Sequence, residues 1–162
     1  MIEGVYRGEH SEHRKRMIDF EQIPDWWALC GNSQCEHAGE CLRHLAFTQA
    51  PQKVTRWTCV LPTAMENGRC RYFQKAEKVQ MARGFKRLFT NIKNKYARHE
   101  IRIKLTDYFG SKGSYYRYRD GKRWLNPELQ QMIANLMQEQ GLKEQPVFDE
   151  CYETYDFTKH SA

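Results

Sequence analysis

The sequence predicts an α+β protein, mostly helical, in which a cysteine-rich, metal-stabilised N-terminal module precedes a basic helical domain. Three observations point there. Cys30, Cys35 and Cys41 fall within twelve residues, and Cys70 follows inside the same turn-rich stretch. Residues 71–124 carry 16 Lys/Arg against 4 Asp/Glu, a balance of +12, whereas 1–70 stand at −1 and 125–162 at −5. From Met81 onward apolar residues recur at three- and four-residue spacing, the period of a helix with one buried face.

Length and composition exclude several classes. A chain of 162 residues buries a core without disulfide staples. Hydrophobic residues at 40% and aromatics at 13% argue against wholesale disorder. No apolar run approaches the roughly 18–20 residues of a membrane span, and the first residues lack the apolar core of a secretory signal. The expected setting is therefore cytoplasmic, with no membrane partner. In that compartment thiols serve as metal ligands, buried side chains or redox groups rather than as a disulfide framework.

Four segments follow. Residues 1–20 form a polar N-terminal segment, and the pair His10 and His13 there is spaced for one helical face, although a frayed end has the same composition. Residues 21–76 form the cysteine-rich metal-binding module, punctuated by Pro24, Gly31, Asn32, Gly39, Pro51, Pro62, Asn67 and Gly68. Within it, Val54 to Leu61 is β-branched and aromatic and is bounded by prolines, so it reads as a strand. Residues 77–145 form the basic helical domain. Residues 146–162 form an acidic, aromatic tail, expected to pack its rings on the body and lay its carboxylates near the basic block.

Cys30-x4-Cys35-x5-Cys41 and Cys70 offer the four soft donors that a tetrahedral zinc site needs. Small and turn-forming residues between them let the backbone wrap an ion, and a short segment poor in aliphatic side chains gains most from such a staple. Zinc is the expected metal. An iron–sulfur cluster is the alternative, because thiolate ligation alone does not choose. Cys59, His37 and His44 are alternative ligands, although Cys59 sits in the predicted strand and reads first as a core thiol. Cys151, far down the chain, is assigned no metal role. No phosphate-binding glycine loop, HExxH or GxSxG is present, so no catalytic residues are nominated and the protein is read as a non-enzyme.

In the basic block, Met81, Phe85, Leu88, Phe89 and Ile92 predict one helix, and 99–109 predicts a second, ended by Gly110. Residues 111–121 hold only a two-turn helix, with Ser111 or Ser114 as its cap and Gly121 at its end. Asn126-Pro127 starts a last helix with proline at its first position, and Leu129, Met132, Ile133, Leu136 and Met137 form its buried stripe before Gly141. Helix, glycine turn, short helix, loop and apolar helix is the helix-turn-helix plan. The pieces Ile103 to Gly110, Gly121-Lys-Arg and Leu129-x3-Ile133-Ala-Asn-Leu136, within 99–141, resemble repressor-type (Cro-like) helix-turn-helix domains.

That resemblance implies a DNA-binding regulator or accessory factor, with duplex DNA favoured over RNA. It places Lys112, Tyr115, Tyr116, Arg117 and Arg119 on or beside a reader helix, where Arg117 or Arg119 would pair with a guanine edge. Lys86, Arg87, Lys93, Lys95, Arg98, Lys122 and Arg123 would neutralise phosphates. The interleaving Tyr115-Tyr-Arg-Tyr-Arg119 also suits stacking of unpaired bases, and equally a packing role between helices. The alternative from another class is a protein-interaction adaptor or inhibitor, phage- or host-encoded, acting through the basic face. A broader resemblance covers most of the chain. Cys30 to Arg43, Cys70 to Phe73, Tyr115 to Arg117 and Phe148 to Tyr152 are similar to an uncharacterised cysteine-rich family of Bacteroides-type bacteria.

Overall fold

The computed structural model describes residues 18–159, so His10 and His13 lie outside the described residues. The architecture is α+β, and the described residues divide into two compact units, 18–77 together with Lys159, and Lys78–Thr158.

The first unit is held by turns and short pairings rather than by long elements. Among its described residues the α-helix is α1, Leu42–Thr48. Its hairpin pairs β1, Met65–Glu66, with β2, Arg69–Cys70, through Asn67 and Gly68, both at positive φ, as a two-residue hairpin turn requires. Ile18, Ile23, Trp27, Leu29, Leu42 and Ala46 are buried. The stretch 54–61 is not the predicted strand. It makes a single parallel bridge, Leu29 with Cys59, flanked by Val60 N–H to the Leu29 carbonyl at 2.7 Å. Val54, Trp57 and Val60 are its half-buried positions, a three-residue period that no flat ladder could use. Trp57 instead donates its indole N–H to the Trp27 carbonyl at 2.9 Å and packs edge-on against Phe20.

The second unit is a three-stranded antiparallel sheet with helices. β3, Lys78–Arg83, is central, between β4, Trp124–Leu125, and β5, Glu150–Tyr155. The helices are α2, Lys95–Tyr108, α3, Lys112–Arg119, and α4, Pro127–Glu139. Phe85, Leu88, Ile101, Leu105, Tyr115, Leu125, Ile133 and Met137 are among the side chains of one buried cluster.

The predicted helix from Met81 to Ile92 is corrected. Its first three residues, Met81–Arg83, belong to strand β3, and only Lys86–Phe89 turns, as a 3-10 segment. Met81, Phe85, Leu88 and Ile92 are buried and Phe89 is half-buried, which is why the spacing reads as a helical period. Two features override it. Gly84 takes φ +71, breaking any continuous helix, and β5 pairs with all six residues of β3, Lys78 with Tyr155 through Arg83 with Glu150. The expected tail is thus an integral strand, and Tyr155 and Phe157 are buried in the second unit.

The last three helices follow their predicted signals. Ser111 accepts from the Ser114 N–H at 3.1 Å and Asn126 from the Leu129 N–H at 2.9 Å, each an N-cap. Pro127 opens α4, and Gly110, Gly121 and Gly141 follow the three helix ends at positive φ. α2 starts four residues earlier than predicted, because Asn94 caps it by accepting from the Tyr96 and Ala97 N–H groups.

Candidate functional site

In the first unit Cys30, Cys35, Cys41 and Cys70 all line one cavity of about 20 Å³. Local backbone bonds bring each to it. Cys30 follows the Leu29–Cys59 bridge, and its N–H donates to the Arg43 carbonyl at 3.1 Å. Asn32 accepts from the Gln34 N–H at 3.1 Å, and the Cys35 carbonyl accepts from Ala38, so 32–38 folds back on itself. Cys41 is the N-cap residue of α1 and bridges Lys75, and the Leu42 N–H donates to the Gln74 carbonyl at 2.7 Å. That pairing carries the chain after β2 back to α1 and brings Cys70, the last residue of β2, with it.

The neighbouring thiols bear on Cys30. Burial pushes the Cys30 thiol up, and the nearby Cys41, Cys70 and Cys35 add to that, against a backbone hydrogen bond at Asn32. Arg43, only 3% exposed, lines the same cavity; it donates to the Tyr72 carbonyl at 2.8 Å and the Ala28 carbonyl at 2.6 Å and lies 4.3 Å from the Trp27 ring centre. Burial pulls its guanidinium below the ordinary value, while Cys41, Cys70, Tyr72 and Cys30 oppose that. As placed, no three His, Cys, Asp or Glu side chains among the described residues stand close enough together to hold an ion.

Of the alternative ligands, His44 lines the cavity, and its Nδ1 is 2.9 Å from the Cys30 carbonyl. A carbonyl only accepts, so that nitrogen carries the proton. His37 is exposed, packs its ring on Phe73 and is not among the cavity residues. Cys59 is exposed rather than a core thiol, its Sγ 3.7 Å from the Trp57 carbonyl, and it does not line the cavity. Its strand-like surroundings suggested burial, but the absence of a ladder leaves its side chain in solvent. Cys151 is exposed on β5.

The second unit carries a cleft of about 520 Å³ lined by Lys86, Arg98, His99, Arg102 and Arg119, with Phe89 and Tyr115 as its aromatic walls. Arg98 and Arg102 stand one turn apart on α2 and so share a face. Arg102 donates to the Tyr116 hydroxyl at 3.0 Å. Arg119 lies 4.5 Å from the Tyr116 ring centre and donates through Nε to Asp120 at 2.9 Å. The Arg119 hydrogen bond holds the Asp120 carboxyl below its ordinary range, helped by the charges of Arg119, Lys86 and Lys122. Asp120 therefore stays ionised beside the cleft.

The nominated nucleic-acid residues fall into distinct groups. Lys112, Arg117, Lys122, Arg123, Lys93 and Lys95 are exposed. Tyr115 is 3% exposed, packs edge-on against Phe85, and belongs to the core; burial pushes its phenol up. Tyr118 is half-buried and stacks on Phe109 at 4.1 Å. Arg87 is committed locally: it donates to the Phe148 carbonyl at 2.9 Å and the Asp149 carbonyl at 2.6 Å, and its Nε lies 3.5 Å from the Asp149 carboxylate. It ties the approach to β5 to the turn after β3. Arg102, His99 and Phe89 were not nominated from the sequence. Starting α2 at its Asn94 cap would have put Arg98 and Arg102 on one face.

No helix among the described residues is long and apolar enough to cross a membrane. Residues 13–157 match the model of a family of unknown function (DUF6078). No curated protein and no solved structure matches the chain.

Proposed function

The chain belongs to the DUF6078 family, and we propose that it is a non-catalytic nucleic-acid-binding protein, a DNA-binding regulator or accessory factor. The observation that carries this reading is the cation-lined cleft of the second unit, where Lys86, Arg98, Arg102 and Arg119 converge. A concave surface of one sign concentrates field lines and draws polyanions to it. The exposed Lys93, Lys95, Lys112, Lys122 and Arg123 lie in the same basic third of the chain. α2, the turn at Gly110 and α3 follow the helix-turn-helix order, and Arg117 is the exposed arginine of α3. In this reading duplex DNA is the partner, the cleft seats its phosphates, and Arg117 reads a guanine edge. The setting is the cytoplasm of a Bacteroides-type bacterium. Asp120 tempers affinity by occupying Arg119.

Fluorescence anisotropy with labelled duplex DNA over a range of salt tests the proposal. Neutralising about six phosphates gives a log–log salt slope of about −5, and Arg98→Ala or Arg102→Ala makes it shallower by about one. Arg117→Ala should cost about 1–3 kcal/mol on a preferred sequence and relax the preference there, whereas Lys93→Ala weakens all sequences alike. Absence of binding at low salt removes the proposal. It would promote a protein-interaction adaptor, the reading favoured by Tyr96 and Ile103, seven residues apart on α2 and 85% and 42% exposed.

A further inference from the structure

We propose that Cys30, Cys35, Cys41 and Cys70 hold one structural zinc ion as a four-thiolate centre, with the buried Arg43 beside them offsetting part of its charge. Four donors of one soft type converge on one cavity from four points of the chain, two flanking a tight turn, one at the start of α1 and one at the end of β2. No Asp or Glu is among the cavity's lining residues, which disfavours hard cations such as magnesium or calcium.

The cavity among the four thiols is small. About 20 Å³ is close to the room one water requires, roughly 10–15 Å³. A single ion suits that space. Zinc–sulfur bonds are about 2.3 Å, and as placed the thiols stand wider apart than an ion needs, so loading has to draw them inward. Each thiol gives its proton to solvent as it ligates. Zinc with four thiolates then carries two negative charges, and the Arg43 guanidinium, fixed by two backbone carbonyls and the Trp27 ring, offsets one of them.

The structure also orders the six cysteines. Cys59 and Cys151 are exposed and outside the cavity, so they serve as internal controls. His44, bonded through Nδ1 to the Cys30 carbonyl, is a neighbour that orients Cys30 rather than a fifth ligand.

Elemental analysis and native mass spectrometry of the reduced full-length chain are expected to find one zinc per chain. Cobalt titration of metal-stripped protein should then develop the visible bands of a tetrahedral four-thiolate centre, saturating at one equivalent. Cys35→Ser and Cys70→Ser should each weaken zinc binding by at least about tenfold, while Cys59→Ser and Cys151→Ser bind as the parent chain does. Because the cobalt titration uses the unsubstituted chain, a variant that fails to fold leaves the test intact. Cobalt spectra without sulfur character, iron and sulfide in place of zinc, or disulfides among the four cysteines would each overturn the proposal. Unchanged zinc binding in both Cys35→Ser and Cys70→Ser would overturn it as well. None of these outcomes depends on whether the second unit binds nucleic acid.

Discussion

Gly84→Ala should destabilise the second unit by about 2 kcal/mol, and the structure allows that figure to be built from parts. Gly84 sits at φ +71, where a Cβ costs about 1–2 kcal/mol. A Cβ there would also collide with the Asp149 carboxylate, its Cγ at 3.0 Å and its Cβ at 3.1 Å. Asp149 cannot yield without loss, because its two oxygens accept from the Lys86 and Arg87 N–H groups, each at 3.1 Å, and cap the 3-10 segment. Losing such a cap costs about 1 kcal/mol. Against these, alanine restricts the unfolded chain and returns about 0.4–1 kcal/mol. The Arg87–Asp149 ion pair adds little, since the Arg87 side chain is 60% exposed and exposed pairs contribute little. Hydrogen exchange of the α2 and α4 amides reads this unit specifically, and urea unfolding gives the overall midpoint. Asp149→Ala removes the carboxylate but keeps its Cβ, so the double variant should lose less than the sum of the two singles. A loss under about 0.5 kcal/mol in Gly84→Ala, or strict additivity in the double variant, would refute the reasoning from both φ and contact.

Gly113→Ala should act in the opposite direction. Gly113 lies inside α3 in ordinary helical backbone, with only the Ser111 hydroxyl near, at 3.9 Å from an added Cβ. Alanine there should stabilise by about 0.5–1 kcal/mol, visible as slower exchange of the α3 amides, and a loss would mean that the helix is not formed as described. Asn126→Ala should cost about 1–2 kcal/mol. That buried side chain caps α4 through the Leu129 N–H and also donates to the Thr158 hydroxyl at 3.0 Å. Asn126→Asp, which keeps the cap and loses the donor, should recover part of the loss in chemical denaturation.

The helices after Ile92 were legible because their determinants lie within a few residues of where they act. The Ser111 and Asn126 caps, Pro127 and the glycines at 110, 121 and 141 all engage their own helix ends, and such local signals survive in a linear reading. Cys30, Cys35 and Cys41 are legible by the same kind of evidence, a close spacing among turn residues. Spacing could not say that Cys70, not Cys59, shares their cavity. That choice depends on the Leu42–Gln74 and Glu40–Ala76 pairings, which fold the hairpin's end back onto α1 across more than thirty residues.

Only the tertiary structure decided the fate of the 81–92 segment, of Tyr115 and of Arg87. β3 exists because β5 pairs with it from some seventy residues away, and a buried strand followed by a 3-10 turn leaves nearly the same apolar spacing as a helix. Tyr115 and Arg117 look equally polar-aromatic and basic in sequence. Packing against Phe85 sends Tyr115 into the core and leaves Arg117 in solvent. Arg87 and Lys86 are adjacent and chemically alike, yet Asp149 and the Phe148 carbonyl hold the first while the second lines the cleft. Charge is written in the sequence residue by residue. Which charges remain available depends on neighbours that the chain brings together only when it folds.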